Sequence, residues 1–592
     1  MRKSLLYNLA LLSICFMVAR CNKILDVERL DQITGEAIWK DSSLMQAYVN
    51  NLYSALGSGE YNSTSGMSVI TDQAIWTNGA KAVVQSTVTA SNMDILGGSR
   101  FSYLNWGTLY AAIRKCNEFL VNSAESPEVD APSVQRMRGE AYFLRGYYYH
   151  NLLRNYGGVP LISKVYGLKD STAIKRNTFK ETVDYIISDA DSAAALLPLK
   201  YSADNLGRAT KGAALALKSR VLLYAASDLY NLNPSKRAEV GYMDEGAGRQ
   251  ARWQAAKDAA DAVMKLGVYQ LYGADPAPGD STAKNYSDLF LDKQSPETIF
   301  CRLFSASNGA PNVGLWFSPN GYGGYGENSP IQQMVDSYEM KDGTKFSWDN
   351  PAEAKNPYAN RDPRFYATVF YDGAHWKPRY ADGVAYDPVG IIQAFTTLTL
   401  PNGKTLPGID TRNGPIENWN GSLSNYYLRK FLDPNNDHKS IAQEVPWIFF
   451  RYGEILLNYA EACIGLGQYA EARDALNKIR RRAGMPEFTA TLNGTALRDE
   501  YRNERKIEMA FEHQRFYDMR RWMIAPKVMN EPAKGIKITV QGTDRANRST
   551  YHDYKYQVFD IQERHWDDKM YFLAIPYEET QKNKLLVQNP NW

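Results

Sequence analysis

Aromatic residues set in loops are the side chains of this 592-residue chain whose types and placement best suit contact with a ligand. Trp76 and Asn78 lie in a loop after the first helical pattern. Trp316, Tyr322 and Tyr325 lie in a Gly-rich stretch far downstream. Flat rings stack on the apolar faces of sugar rings, while amides and phenolic hydroxyls hydrogen-bond the sugar hydroxyls. The ordinary alternative is that such large rings fill core.

Residues for covalent, redox or metal chemistry do not gather. The six His (150, 375, 438, 513, 552 and 565) are well separated, and the five Cys (15, 21, 116, 301 and 463) include no CxxC pair. Neither HExxH nor GxSxG occurs. Gly321 to Gly326 satisfies GxGxxG, but a dinucleotide site needs a strand before it and a helix opening from it. Here Pro319 and Asn320 precede, Glu327 adds a negative charge and Pro330 delays any helix. Gly403-Lys404-Thr405 ends like a phosphate loop, yet Leu398 occupies the required first Gly. A facing pair of carboxylates cannot be picked out among 65 acidic residues. No catalytic residue, cofactor or metal ligand is therefore assigned, and the expectation is binding without turnover. A glycan-processing enzyme and a structural adaptor stay open as alternatives.

Lys plus Arg number 68 against 65 Asp plus Glu, so the net charge is only +3 and no nucleic-acid partner is expected. Hydrophobic residues at 44% and charged residues at 22% are ordinary globular composition. Tyr (40) outnumbers Phe (21), a choice of rings with a polar handle.

The elements that must position these rings are mostly helices. Helical periodicity runs over about 41–56, 106–122, 133–155, 178–197, 209–229 and 252–266, with Thr178 an N-cap and Gly157-Gly158 a stop. It resumes over 447–466, 469–483 and 497–524. Between them, residues 271–444 are rich in Gly, Pro and Asn, with strand-like runs at 297–304 and 367–371; another strand-like run falls at 571–575, before a short final helix. The expected fold is mostly α: a helix-pair body over about 40–270 and 445–530, a large loop-rich segment over about 271–444 on the ligand side, and a few short strands. Ala460, Gly467, Tyr469, Ala472 and Leu476 follow the tetratricopeptide spacing, in which small residues let two antiparallel helices approach.

Residues 1–20 read as a signal peptide, with Arg2 and Lys3 before an apolar run from Leu5 to Ala19 that is too short to span a bilayer. Val18-Ala19-Arg20-Cys21 resembles a bacterial lipobox, which makes Cys21 the expected site of lipidation and the mature N-terminus. No later stretch reaches 18 apolar residues.

Several segments, in order, resemble the SusD/RagB family of nutrient-binding outer-membrane lipoproteins of Bacteroidetes. They are Cys21-Asn22-Lys23-Ile24-Leu25-Asp26-Val27; Phe143-Leu144-Arg145-Gly146-Tyr147-Tyr148-Tyr149 running into Arg154-Asn155-Tyr156-Gly157-Gly158-Val159-Pro160; Arg361-Asp362-Pro363-Arg364; Arg451-Tyr452-Gly453-Glu454; and Glu512-His513-Gln514-Arg515-Phe516-Tyr517-Asp518. The resemblance implies a tetratricopeptide-containing body that binds an oligosaccharide, or alternatively a peptide. It further implies an extracellular-facing, lipid-anchored position in the outer membrane, as the lid of a SusC-like TonB-dependent transporter. It also implies that loops around 76 and 316–325 meet in space. The charged motif residues themselves read as salt-bridged helix faces, and Arg480-Arg481-Arg482 as a solvated helix end.

Overall fold

The structure, a computed structural model, describes residues 35–592 apart from 62–65, 77–80, 94–103, 127–129, 168, 172, 308, 438, 440 and 441. Cys21, the signal peptide and Asn78 lie outside the described residues.

The chain is mostly α. Its first half supplies α1 (Ser42–Leu52), α2 (Trp106–Ala124), α3 (Pro132–Tyr156), α4 (Phe179–Leu196), α5 (Lys211–Ala226) and α6 (Arg249–Met264). α3 is the axis of this half: every residue from Phe143 to Tyr156 is buried. Pro132 opens it at a position that needs no N–H, and Gly157 closes it at φ 78°, its N–H bonding Leu153 O. Gly146 lets α4 lie close, since a Cβ there would sit 3.2 Å from Asp189 Cβ. Beside it Arg145 pairs with Asp189 at 2.7 and 2.9 Å. Thr178 caps α4 reciprocally with Glu181, as its type predicts.

The middle segment holds short elements, among them α7 (Val313–Phe317). The second helical group is α8 (Tyr452–Gly465), α9 (Tyr469–Arg482), α10 (Gly494–Glu508) and α11 (Arg515–Arg521). α8 and α9 form the expected repeat pair: Ala460, Ala472 and Leu476 are fully buried, and Gly467 turns the chain at φ 76°.

Among the described residues, strands tie the segments together in four small sheets. β1 (Ala74–Ile75) pairs with β3 (Ser329–Pro330), β2 (Thr298–Arg302) with β8 (Trp447–Arg451), and β4 (Val369–Phe370) with β7 (Tyr427–Leu428), all antiparallel. A four-stranded sheet has the order β10 (His552–Gln562), β9 (Ala533–Gln541), β5 (Thr397–Thr399), β6 (Thr405–Leu406).

Three expectations change. Trp447–Arg451 is a strand rather than the start of a helix; all five residues are buried, so the run carries no period that separates the two. The helix expected over 497–524 breaks where Phe511 and His513 take φ 61° and 60°. Residues 571–575 begin on the last residue of the 3-10 turn Asp568–Tyr571 and join no ladder among the described strands.

The motif charges are buried braces. Arg364 meets Asp362 at 2.8 Å, Glu504 at 2.5 Å and Glu508 at 3.1 Å. Arg451 meets Glu297, Glu508 and Glu512 at 2.7–2.8 Å. Arg480 bonds Glu339 and Glu504 at 2.9 Å, and Arg482 reaches Glu297 and Glu508. The expected solvated end is thus confined to Arg481, 55% exposed. Burial of Arg480 and Arg482 is tolerable because four carboxylates from three other segments meet them. Cys116, Cys301 and Cys463 are buried free thiols, and burial pushes each up to about 12.

Candidate functional site

The site is built on the chain between Val313 and Pro330. Val313 and Phe317 anchor α7 in the core, fully buried, which leaves Trp316 half-buried on its outer side. After a 3-10 turn at Asn320–Tyr322 the chain doubles back. Tyr325 N–H donates to Leu315 O at 2.8 Å, Gly326 N–H to Ser318 O at 3.1 Å and Glu327 N–H to Trp316 O at 2.8 Å. This antiparallel return sets the Tyr325 ring 5.3 Å from the Trp316 ring, at 61°. The return needs glycine: a Cβ on Gly324 would lie 2.1 Å from Ser318 O. The GxGxxG string is therefore a tight reversal and belongs to no βαβ unit.

A third ring comes from another loop. Trp419 sits in the 3-10 turn Asn418–Asn420 and is 62% exposed. Its ring lies 5.9 Å from Tyr325, inclined at 45°. The loop is held by Asn320, which is fully buried. Its Nδ2 donates to the carbonyls of Ile409 (3.1 Å), Thr411 (3.2 Å) and Ile416 (2.7 Å), and its Oδ1 accepts from Tyr427 O–H at 2.7 Å. Gly326, at φ 58°, lets the two loops touch, since a Cβ would stand 2.8 Å from Asn420 O. The result is a row of rings rooted in the core at Trp316 and rising to solvent at Trp419. Exposed Arg412, Asn413, Glu417 and Asn418 flank its outer end and supply hydrogen-bonding groups.

The other sequence candidates divide. Trp76 directly follows β1, whose pairing of Ile75 with Ser329 lays it beside the chain just past Tyr325; its ring packs partly against the core. Tyr322 is a correction. It is fully buried, its hydroxyl donates to Lys377 O at 2.7 Å, and the Arg379 guanidinium stands 4.1 Å from its ring. Burial raises its phenol above the usual range. Tyr322 is foundation and offers no face to a ligand. Arg379 in turn grips Asp410 at 2.8 and 2.7 Å and Asp387 at 2.7 Å, fixing those two carboxylates in buried ion pairs.

Sequence reasoning missed Trp419 and Asn320. The signal for Trp419 was its setting, Glu417-Asn418-Trp419-Asn420-Gly421, a Trp amid polar turn formers with no apolar neighbour to share a core. Asn320 carried no local signal, because its partners lie 89 to 107 residues away. Among the described residues no group of three or more His, Cys, Asp or Glu could hold a metal ion.

With this geometry in place, comparison with known proteins assigns the class. Residues 292–592, just over half of the chain, match the family described as the SusD family, and residues 23–223 match one described as "Starch-binding associating with outer membrane". The chain belongs to the SusD family. It is 24% identical to the SusD-like protein P38 of Formosa agariphila over 546 residues, covering 87% of this chain and 90% of that one. A SusD-like protein of Bacteroides fragilis has the same fold, with a TM-score of 0.72, 28% identity and coverage of 95% and 99%. A SusD-like carbohydrate-binding protein of the same organism superposes with a TM-score of 0.71 at 23% identity, over 93% of this chain and 100% of the other.

Proposed function

We propose that this protein binds an oligosaccharide on the ring row Trp316–Tyr325–Trp419, with Trp76 close by, and passes it to a SusC-like TonB-dependent transporter without altering it. The observation that carries the reading is Trp419: a Trp held 62% in solvent, on a loop pinned by a buried Asn and in ring contact with a second aromatic. Covering so much apolar ring with a ligand would be favourable, and Trp419 is not isolated but continues the row through Tyr325 and Trp316. Rings stack on sugar faces, while the amides and charges beside Trp419 suit hydroxyls. The description of one SusD-like neighbour as carbohydrate-binding, and of another, a more distant one, as laminarin-binding, supports the ligand class.

The anchoring half of the reading rests on the Cys21 lipobox and on a family description that names the outer membrane. No helix among the described residues is long and apolar enough to cross a membrane. Two lipid chains make release slow, so Cys21→Ala should turn a detergent-extracted protein into one freely released. Co-purification in mild detergent tests the transporter partner; recovering this protein alone while the transporter is present would contradict it. Migration through gels containing candidate polysaccharides tests the ligand. Retardation without released sugar is expected, whereas hydrolysis products would favour an enzyme.

A further inference from the structure

Apart from the aromatic row, and sharing no residue with it, lies a cavity of about 340 Å³. It opens where α6, the end of α8 and the first turns of α10 meet. Its cations outnumber its available anions. Arg249, Arg498 and Arg502 all line it, and Arg498 and Arg502 stand four residues apart on α10, hence on one face. Of its two carboxylates, Glu461 is already saturated: Arg521 holds it at 2.7 Å, Tyr501 O–H at 2.6 Å and Trp522 Nε1 at 2.6 Å. Asp228 is shared between Arg249 and Arg502. Arg498, 47% exposed, has among the described residues only its chain neighbour Asp499 for an ion pair, at 4.0 Å. Two guanidiniums thus share Asp228 while Arg498 keeps only a loose pair with Asp499, and a guanidinium's planar fork of donors suits a carboxylate ligand.

The cavity's indoles are covered. The Arg502 and Arg521 guanidiniums lie 5.2 and 4.7 Å from the Trp522 ring, and Trp522 is 4% exposed. The backbone of Gly465 lies against Trp253, where a Cβ would come within 2.4 Å of the ring. Both indoles are thus closed to stacking, and the partly exposed Tyr469 ring and Ile464 side chain are the apolar groups left on the cavity wall. What the mouth offers besides charge is the exposed Gln250 amide and Thr495 hydroxyl, partners for hydroxyl groups. Its volume, near the lower end of the roughly 300–1,000 Å³ of ligand pockets, suits one or two sugar residues.

We propose that this cavity is a second sugar site, selective for a carboxylate-bearing residue. Arg498 and Arg502 take the carboxylate of a uronic acid, and Gln250 and Thr495 take its hydroxyls. The proposal deepens the glycan reading by naming an acidic sugar, and it fails separately from it because the two sites have no residue in common.

Calorimetric titration of the full protein with glucuronic and galacturonic acid, beside glucose, galactose, acetate and a tetrapeptide with a free C-terminus, tests it. Millimolar binding of a uronic acid is expected, with none of glucose, galactose or acetate. Arg498→Gln, at an exposed position that leaves the melting curve alone, should weaken that binding about tenfold by removing one charge-assisted pair. Trp419→Ala should leave it unchanged. Absence of uronate binding at about 10 mM, equal binding of acetate, or tighter binding of the tetrapeptide would each overturn the assignment. So would loss of uronate binding in Trp419→Ala with retention in Arg498→Gln, which would move the acidic sugar to the aromatic row.

Discussion

Asn320 donates its side-chain amide to the carbonyl of Ile416 at 2.7 Å, three residues before Trp419, across 96 residues of chain. That bond, with its two companions to Ile409 and Thr411, makes the position of an exposed ring depend on a buried amide. Replacing Asn320 by Ala strips three buried carbonyls of their donor, and an unsatisfied buried polar group costs about 1–3 kcal/mol. Asn320→Ala should lower the melting temperature and weaken glycan binding together. Unchanged binding in a destabilised variant would show that the loop keeps its place without the amide.

Tyr322 and Tyr325, three residues apart, should respond oppositely. Tyr322→Ala removes a fully buried ring, and such truncations cost about 3–5 kcal/mol. It should lower the melting temperature sharply. Tyr322→Phe loses only the bond to Lys377 O and should bind glycan normally. Tyr325→Ala, at a half-buried ring outside the packed core, should cost binding with little loss of stability. Titration and melting curves on the three variants read both effects.

The buried ion pairs predict an acid limit. Burial pushes the Glu461 carboxyl up, but the Arg521 guanidinium overrides it and holds the group down at about 2, against 4.5 when unpaired. Because the folded value lies below the unfolded one, the stabilisation is full above pH 4.5 and is lost as pH falls through 2. At neutral pH it amounts to about 3 kcal/mol. Glu461→Gln should therefore be less stable than wild type at pH 7, and the gap should narrow between pH 4.5 and 2. A gap constant with pH in denaturant titrations would contradict the pairing.

How much of this was legible in the sequence depends on how local the cause was. The α8–α9 pair could be read because Ala460, Gly467 and Ala472 encode close approach within one repeat. The end of α3 could be read because Gly157 adopts a positive φ, 78°, that its type permits. Arg480 and Arg482 could not, since the carboxylates that let them be buried come from residues as distant as Glu339 and Glu297. The same holds for the candidate site: Trp316, Tyr322 and Tyr325 were all picked by loop setting and ring chemistry, and Tyr322 differs from Tyr325 only in which way a tight reversal turns it.

That non-local origin gives a sharp contrast between neighbours on α9. Arg481→Ala removes an exposed pair and should change stability by less than about 1 kcal/mol. Arg482→Ala leaves Glu297 and Glu508 short of a buried counter-charge and should cost about 3–5 kcal/mol. Equal melting temperatures would refute the buried network.

The central claim is that an exposed ring row binds the glycan, and Trp419→Ala tests it most directly. Affinities in the millimolar to micromolar range correspond to about 4–8 kcal/mol, and loss of one central aromatic anchor commonly costs about 2 kcal/mol. Titration of wild type and Trp419→Ala with a polysaccharide that retards the wild type in gels should show binding reduced about thirtyfold, the equivalent of that loss. The melting temperature should not move, because Trp419 is 62% exposed. Wild-type affinity in Trp419→Ala, repeated in Trp316→Ala and Tyr325→Ala, would contradict the account and place the glycan elsewhere on the protein.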